Sequence, residues 1–416
     1  SNKSLKTITF AENSSLKTIA DYAFNGCTGL TEFIVPASVE TIGNSVFSSC
    51  GNLTKIEFQE GSRLSSIGNL AFSNTGITSF SFPESSSDIK LGTQLFSGVE
   101  LEEIYLSNSV TNIDKIFDGC LSIGKVTIAE GHKNFWLDGE TPIIYTKDKT
   151  SMLYIYGEIE GEFAIPEGIT AIGKSAFNGQ TKITGLVIPS SLQQIGDSAF
   201  SGCTALKTIR FEGNSRLLTI DAKAFYDCTS LESIAVPDGV TEIGESAFED
   251  NSSLISVTVP ASVKPIGSSV FEGCTSLVNV TLAKDLSVLG KDMFKECSAL
   301  ETITLPSIVT EIPTYFLAEC ENLVTVVLPN SYTSIGSSAF SGCEKLTWGE
   351  KELVFPTELI SIGGYAFSGC SELKKVSFPS NLTEIGSYAF RNTGLTEISL
   401  VERTNLTIGS NAFSGC

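Results

Sequence analysis

The residues that could perform chemistry in this chain are eleven cysteines and one histidine, His132. A zinc site would need clustered ligands, such as Cys-x-x-Cys with partnering histidines, and that spacing does not occur. A cysteine nucleophile would need a nearby base, yet the only histidine lies in an irregular segment. Instead, every cysteine occupies the same position of a repeated Phe-x-x-Cys phrase: Cys27, Cys50, Cys120, Cys203, Cys228, Cys274, Cys297, Cys320, Cys343, Cys370 and Cys416.

Disulfide bonding does not explain this cysteine series either. Rungs of stacked strands lie about 5 Å apart, which falls inside the Cα–Cα window of disulfides, about 4.4–6.8 Å. However, five successive units carry a cysteine, and eleven is an odd number. Other units carry Thr75, Val99, Gln180, Asn251 or Thr393 at the same position. We therefore interpret the cysteines as buried, reduced thiols packed near backbone groups.

The elements that hold these thiols are repeats of about 23 residues. The general form is L-x-x-I-x-I-P-x-x-V-x-x-I-G-x-x-A-F-x-x-C-x-x, and it recurs sixteen times, with Leu317 replacing the phenylalanine once. A unit of this length cannot bury its own apolar face, whereas stacked copies can. The sequence thus predicts a repeat solenoid of about sixteen units, rich in β-strands and with short helical turns.

Each part of the repeat has a structural interpretation. The β-branched run L-x-x-I-x-I suits a short strand, and the proline that often follows ends it because proline lacks a donor N–H. Glycine before the A-F pair would ordinarily suggest a left-handed backbone. However, Ala20 and Pro313 occupy the same position, and proline cannot adopt a positive φ. Close packing or a strand end is the better explanation.

The repeat also resembles a known family. Segments such as VTEIGESAFEDN (240–251) and LQQIGDSAFSGC (192–203) are similar to the BspA-like, or Treponema pallidum type, leucine-rich repeat. This resemblance implies a curved leucine-rich-repeat solenoid of the α/β horseshoe superfamily. It also implies a secreted or surface protein of host-associated microbes, linked to adhesion. The shared motif is the scaffold, so the resemblance transfers no binding residue.

Two segments interrupt the repeat, and each contains a tryptophan. The first lies between Phe117 and Phe177, where PIIYT and SMLYIYG flank KDKT and predict a β-hairpin. We therefore divide one continuous solenoid into a repeat block at 1–122, an irregular unit at 123–162 and a second block at 163–416. The hairpin is either a projecting binding surface or a cover for the core. The partner-binding candidates at the two interruptions are Trp136, Tyr145, Tyr154 and Trp348.

A second candidate surface is the column of strand residues predicted to point outward on the concave side. It runs from Thr9 to Ser399 and consists mostly of small or β-branched residues, which a parallel sheet favours in any case. The larger exceptions, Glu57, Tyr105 and Arg210, are candidates for partner contacts.

Composition narrows the function classes. The net charge of -20 disfavours nucleic acid,, and no apolar run is long enough to predict membrane insertion. No cofactor, metal or catalytic motif is present. We expect a non-catalytic extracellular or cell-surface module that binds a host or microbial protein or glycan, in adhesion. A structural spacer in a longer surface protein is the alternative, and a carbohydrate-active enzyme using the insert remains a third.

Overall fold

The computed structural model describes residues 2–11, 13–347, 353–400 and 405–416. Contacts divide the chain into two compact units, Ser1–Glu158 with Ile172–Ala176, and Ile159–Ala171 with Phe177–Cys416. The described residues make about 17 solenoid turns at a spacing of about 23 residues, close to the sixteen units that the repeat predicts. The predicted division at 1–122, 123–162 and 163–416 stays a prediction.

The described residues form short β-strands joined by turns. The first sixteen are β1 (Thr18–Ile19), β2 (Glu32–Val35), β3 (Thr41–Ile42), β4 (Lys55–Phe58), β5 (Ser66–Ile67), β6 (Ser79–Ser81), β7 (Lys90–Leu91), β8 (Glu100–Leu106), β9 (Ser122–Ile128), β10 (Phe135–Trp136), β11 (Ile143–Thr146), β12 (Ser151–Ile155), β13 (Gly161–Ala164), β14 (Ala171–Ile172), β15 (Ile183–Ile188) and β16 (Gln194–Ile195). The remainder are β17 (Thr208–Phe211), β18 (Thr219–Ile220), β19 (Ser233–Ala235), β20 (Glu242–Ile243), β21 (Ser256–Val259), β22 (Asn279–Leu282), β23 (Thr302–Thr304), β24 (Glu311–Ile312), β25 (Thr325–Val327), β26 (Ser334–Ile335), β27 (Leu353–Val354), β28 (Ser361–Ile362), β29 (Lys375–Phe378), β30 (Glu384–Ile385), β31 (Glu397–Leu400) and β32 (Thr407–Ile408).

A typical turn contributes one long strand and one short strand, and each kind stacks in parallel with its counterparts. In the first unit the long strands pair as β2-β4 and β6-β8-β9, and the short strands as β1-β3-β5-β7. In the second unit the long strands pair as β13-β15-β17, β19-β21-β22, β23-β25 and β27-β29-β31. Its short strands form the runs β16-β18-β20 and β24-β26-β28-β30-β32.

The core is a column of stacked phenylalanine rings. Phe200 and Phe225 lie 5.2 Å apart between ring centroids at an interplanar angle of 4°, and Phe225 and Phe248 follow at 5.3 Å and 6°. These separations are within the favourable range for aromatic pairs. At Leu317 the column changes, because Phe316 supplies an edge-on ring 5.6 Å from Phe294. The phenylalanine rings of the A-F pairs, such as those of Phe200, Phe225 and Phe248, are fully buried and fill the interior of the turns.

The A-F-x-x-C corners are not helical, so the prediction of short helical turns is wrong: no helix occurs among the described residues. In one corner Ser198 and Gly202 have φ of 56° and 70°, which a right-handed helix cannot accommodate. The N–H of Phe200 donates to the carbonyl of Ala224 in the next turn at 2.8 Å, whereas the N–H of Ser201 donates within its own turn to Ser198. Alternate amides therefore leave the corner, and no i to i−4 ladder forms.

Close packing, one of the two explanations that the sequence leaves open, accounts for the glycine position. None of the glycines in this position, such as Gly43 and Gly336, has a positive φ. A Cβ on Gly336 would lie 2.5 Å from the backbone nitrogen of Thr314, and one on Gly43 would lie 2.6 Å from that of Asp21. Both distances are well inside van der Waals contact. Glycine lets each short strand pack directly on the preceding turn.

Candidate interaction surface

The cysteines form a hydrogen-bonded ladder inside the solenoid. Nine thiols donate to the carbonyl of the residue at the phenylalanine position of the preceding turn, over Sγ–O distances of 3.0–3.3 Å. Burial raises the pKa of Cys297 and Cys343 well above 9.0, so these thiols stay protonated and can donate. A protonated, buried thiol is a poor nucleophile and a poor metal ligand. The cysteines thus serve packing and hydrogen bonding.

Other residues at the cysteine position take over the same role. Thr75 and Thr393 are buried, and their hydroxyls donate to Phe72 and Phe390 in their own turns at 2.8 and 3.0 Å. The side-chain amide of Asn251 donates to the phenylalanine carbonyls of both its own and the preceding turn, at 2.7 and 3.1 Å. Most units therefore place a hydrogen-bond donor at this position. Val99 has none, and at Gln180 the side-chain Oε1 accepts from the N–H of Ile159 at 3.1 Å.

His132 is a structural residue and has no free nitrogen for catalysis. Its ring is 1% exposed. Nε2 lies 2.9 Å from the carbonyl of Ser107, to which it donates, while Nδ1 accepts from the N–H groups of Asn134 and Phe135, both at 3.1 Å. Burial lowers the pKa of His132. These bonds fix one neutral tautomer and attach the start of the insert to the end of β8.

The aromatic residues of the insert are mostly covered. β11 and β12 pair antiparallel, as the predicted hairpin requires. Tyr145 is buried, and burial raises its pKa; Tyr154 is half-buried, with its ring 4.8 Å from that of Phe117. Trp136 is half-buried, 5.4 Å from Tyr145, and the Nζ of Lys149 lies 4.0 Å above its ring. These contacts favour a cover over the core of the first unit more than a projecting binding surface.

The predicted outward column is aligned as expected in both units. Ile34 pairs with Glu57 and Ser81 with Tyr105 in the first unit. Glu57 is exposed and forms an ion pair with Lys55 at 2.7 Å, while Tyr105 is half-buried. Burial, with a contribution from the nearby Glu84, raises the pKa of Tyr105. Trp348 lies outside the described residues.

Arg210 marks one end of a distinctive part of this column in the second unit. Its guanidinium lies 3.3 Å from Glu212 and 3.9 Å from Glu162. Glu162 and Arg210 belong to turns on either side of Gly185 and Val187. The Arg210–Glu162 pair therefore spans the intervening turn, in which Gly185 has no side chain. Val187 of that turn is buried, although the column predicts it to be exposed.

Beyond Arg210, the two outward positions of the long strand carry no charge in five successive turns, while exposed Glu232 and Glu301 directly precede two of these strands. We call this surface the neutral strand face; its residues are Ser233, Ala235, Ser256, Thr258, Asn279, Thr281, Thr302, Thr304, Thr325 and Val327. Register pairs Thr258 with both Ala235 and Thr281, so the side chains form straight rows. All ten are exposed or half-buried. Such a run is unusual on a chain with a net charge of -20.

Two further residues of this surface escaped the sequence argument. Ile255 and Val278, which directly precede β21 and β22, are 48% and 45% exposed. They broaden the neutral strand face with apolar area. Both residues occupy the repeat position directly before the first outward residue of the long strand. In two other turns this position carries Glu232 and Glu301, which indicates from the sequence that it is exposed.

An open cleft of about 740 Å³ adjoins the neutral strand face. Arg210, Asn214 and Asp238 provide its polar lining, and Ala235 and Thr258 belong both to the cleft and to the face. The cleft follows the loop 212–216, where the repeat is two residues longer than 23. The flat face therefore has a concave edge with a cation beside it.

Neither a metal centre nor a membrane span was found in the described part of the chain. No group of three or more His, Cys, Asp or Glu residues there is arranged to hold a metal ion. Likewise, the same residues include no helix suited in length and apolarity to crossing a bilayer.

Comparison with known families gives a match along most of the chain. A family model described as a BspA type leucine rich repeat region matches residues 1–124, 156–274, 248–349 and 347–416, in six copies. Among curated proteins, none matches the chain.

Solved structures with similar folds come from several bacteria. A leucine-rich repeat protein from Bacteroides ovatus is 24% identical, with 91% of this chain and 80% of that chain covered and a TM-score of 0.50. The pneumococcal vaccine antigen PcpA is 24% identical, with coverage of 80% and 69% and a TM-score of 0.44. A leucine rich cell surface protein from Faecalibacterium prausnitzii is 24% identical, with coverage of 67% and 73% and a TM-score of 0.45. The first of these likenesses supports the fold.

Proposed function

Because this chain belongs to the family of BspA-type leucine-rich-repeat proteins, we propose that it is a non-catalytic module of the cell surface or extracellular space that binds a partner protein through the neutral strand face. Binding there would serve adhesion to host tissue or to other microbes. Arg210 and its cleft would contact the partner at the edge of this face.

The observation that carries this proposal is the absence of charge from ten neighbouring outward positions on a strongly acidic chain. The centres of protein interfaces are depleted in charged residues, because charges buried there must lose their hydration. The exposed side chains of Ile255 and Val278 add apolar area that a partner would cover,. Glu232 and Glu301 stand beside the face as a polar rim.

The parallel strands also make this face suitable for recognition. Each outward side chain is held by a strand whose alternate residues are buried, as in β21 with its Val257 and Val259. A rigid surface loses little conformational entropy when a partner binds. Partner binding at this face therefore does not require loops of this chain to become ordered.

The test introduces one charge of either sign into the middle of the face. The variants Thr281→Glu and Thr281→Arg are compared with Ser81→Glu and Ser81→Arg, which alter an exposed outward position of β6 in the first unit. Each protein is immobilised and titrated with purified matrix proteins and with intact bacterial cells. A charge buried without a partner costs several kcal/mol, so both Thr281 variants should bind about a hundredfold more weakly.

The outcomes separate the possible functions. Loss of binding in both Thr281 variants, with both Ser81 variants unchanged, supports the neutral strand face. If only one sign weakens binding, recognition depends on long-range charge and the proposed face is wrong. If Trp136→Ala abolishes binding while the Thr281 variants bind normally, the insert is the binding surface. If no partner binds the native chain, the spacer function is favoured instead.

A further inference from the structure

A second cleft opens in the second unit where the stack of short strands is interrupted. The short strand β20 is followed in the stack by an isolated parallel bridge between Ile243 and Ile266. The stack resumes at β24, which pairs with β26. The intervening segment, residues 287–290, forms no strand. Residues 292 onward rejoin the regular ladder, since the N–H of Asp292 donates to Thr314 at 3.1 Å.

Pro313 occupies the glycine position of the turn that follows the interruption. In neighbouring turns the glycine N–H donates to the preceding short strand, as from Gly267 to Ile243 and from Gly336 to Ile312, both at 2.8 Å. Proline cannot make this bond and brings ring atoms to a position with no space for them. The preceding segment is correspondingly shifted, with Gly290 lying directly against the carbonyl of Gly267.

The interruption leaves backbone groups unpaired in the cleft. Regular turns are joined at this level by bonds such as Lys264 N–H to Thr241 and Thr333 N–H to Thr310, each 2.7 Å. The equivalent bond from Thr310 to Ser287 is missing, and within the described residues no backbone hydrogen bond joins 287–290 to 310–313. The cleft between them has a volume of about 340 Å³. Free N–H groups in such a space are available to an acceptor from a ligand.

The cleft also contains one cation and one anion that do not pair with each other. Lys291 and Glu311 both line it and are exposed. Among the described residues neither side chain forms an ion pair. Buried Leu289 and Val309 provide an apolar floor between them. Opposite charges, backbone donors and an apolar floor in one space are complementary to a molecule with the same three features.

We propose that this cleft binds a small zwitterion, a free α-amino acid or a dipeptide with an apolar side chain. The ligand carboxylate accepts from the Thr310 and Glu311 N–H groups and pairs with Lys291. Its ammonium group pairs with Glu311, and its side chain packs on Leu289 and Val309. The volume is at the small end of ligand sites, about 300–1,000 Å³, which suits a ligand of this size.

The probe for this site is L-alanyl-L-leucine, titrated against the whole chain by saturation-transfer NMR and calorimetry. Three relatives of the probe are run beside it: L-leucine, the N-acetylated dipeptide and its C-terminal amide. Lys291→Gln and Glu311→Gln each remove one charge from the cleft. Lys284→Gln and Glu321→Gln are the matched controls, since both are exposed positions outside it.

We expect saturable binding with a dissociation constant near 1 mM, as for a small ligand in an open site. Each cleft variant should weaken it about tenfold, and the controls should leave it unchanged. The amide should depend less on Lys291, and the acetylated dipeptide less on Glu311. Whether leucine or the dipeptide binds more tightly decides which of the two is the natural size. Pro313→Gly restores the missing donor, so the ladder should close and binding should fall.

Three results would overturn the proposal. The first is no saturable binding of either L-leucine or the dipeptide at about 10 mM, ten times the expected constant. The second is binding of both the N-acetylated dipeptide and the C-terminal amide as tightly as the unmodified dipeptide. The third is unchanged binding in both cleft variants, with circular dichroism showing that they are folded. The variant Thr281→Arg, which should lose partner binding at the neutral strand face, should still bind the zwitterion. That result would show that the two sites are distinct.

Discussion

The cysteine position offers the sharpest test of how this solenoid is held together, and Cys320 is the best place for it. Its side chain is fully buried, and its Sγ donates to the carbonyl of Phe294 at 3.1 Å. Threonine and valine have nearly the same shape, but only threonine can donate a hydrogen bond. The pair Cys320→Thr and Cys320→Val therefore separates hydrogen bonding from volume. A threonine here would donate to Leu317 in its own turn, as Thr75 donates to Phe72.

The expected difference can be worked from the contacts. A typical hydrogen bond contributes about 0.5–1.5 kcal/mol net to the free energy of unfolding. The Phe294 carbonyl also accepts from the N–H of Cys297 at 3.3 Å, so it keeps one partner in either variant. The valine variant should therefore be less stable than the threonine variant by about 0.5–1 kcal/mol. Cys320→Ala also leaves a cavity, and should lose about 2–3 kcal/mol relative to the native chain.

The assay is urea unfolding together with hydrogen exchange of the amides around residue 320. In a solenoid each turn contacts only its neighbours, so loss of protection should be confined to adjacent turns. Val99, a natural valine at this position, shows that the volume alone is tolerated. If the valine variant equals or exceeds the threonine variant in stability, the hydrogen-bond explanation of the cysteine ladder is refuted and only packing remains.

Four other measurements test the remaining contacts. Tyr332 is fully buried and its hydroxyl has no hydrogen-bond partner, so Tyr332→Phe should raise the free energy of unfolding by about 1 kcal/mol; a loss of stability would contradict this. Burial lowers the pKa of His132 below 6.5, so the native chain should lose stability as pH falls from 6.5 through the folded-state pKa, and His132→Gln should lack that part of the pH dependence. Burial, with Glu272 nearby, raises the pKa of Glu249 above 4.5; its protonation therefore favours the folded state, and relative to Glu249→Gln the native chain should gain stability as pH falls through that pKa towards 4.5. Thiol labelling of the native chain should modify exposed Cys416 first and half-buried Cys120 next, while rapid reaction of the nine buried thiols would refute the ladder.

Much of the fold was readable from the sequence because the repeat is explicit. The outward column was predicted from the repeat, and pairs such as Thr258 with Thr281 lie in the expected register. The packing role of glycine was also predictable, since Pro313 at the same position excluded a positive φ. In both cases one repeat could be compared with fifteen others, so the sequence contained its own controls.

The corners could not be predicted in the same way. Each has two residues of positive φ around its A-F pair, such as Ser198 and Gly202. The second position carries Gly, Asn, Asp or Ser in most units, which is a signal for left-handed backbone. The first position also carries tyrosine, as at Tyr365 and Tyr388, so its residue types do not indicate a left-handed backbone. Hydrogen bonds to the next turn compensate for the strain, and local propensity does not contain that information.

The sequence by itself determined the repeat, the alternation of buried and outward residues and the shared role of the cysteine position, because these depend on side-chain type at a fixed period. Only the tertiary structure decided which of these positions become surfaces. Val187 is buried in the turn that the Arg210–Glu162 pair spans, and the cleft at Pro313 lies where the backbone bonds between two turns are missing. Contacts between residues 23 or more positions apart produce both effects, and no single repeat encodes them.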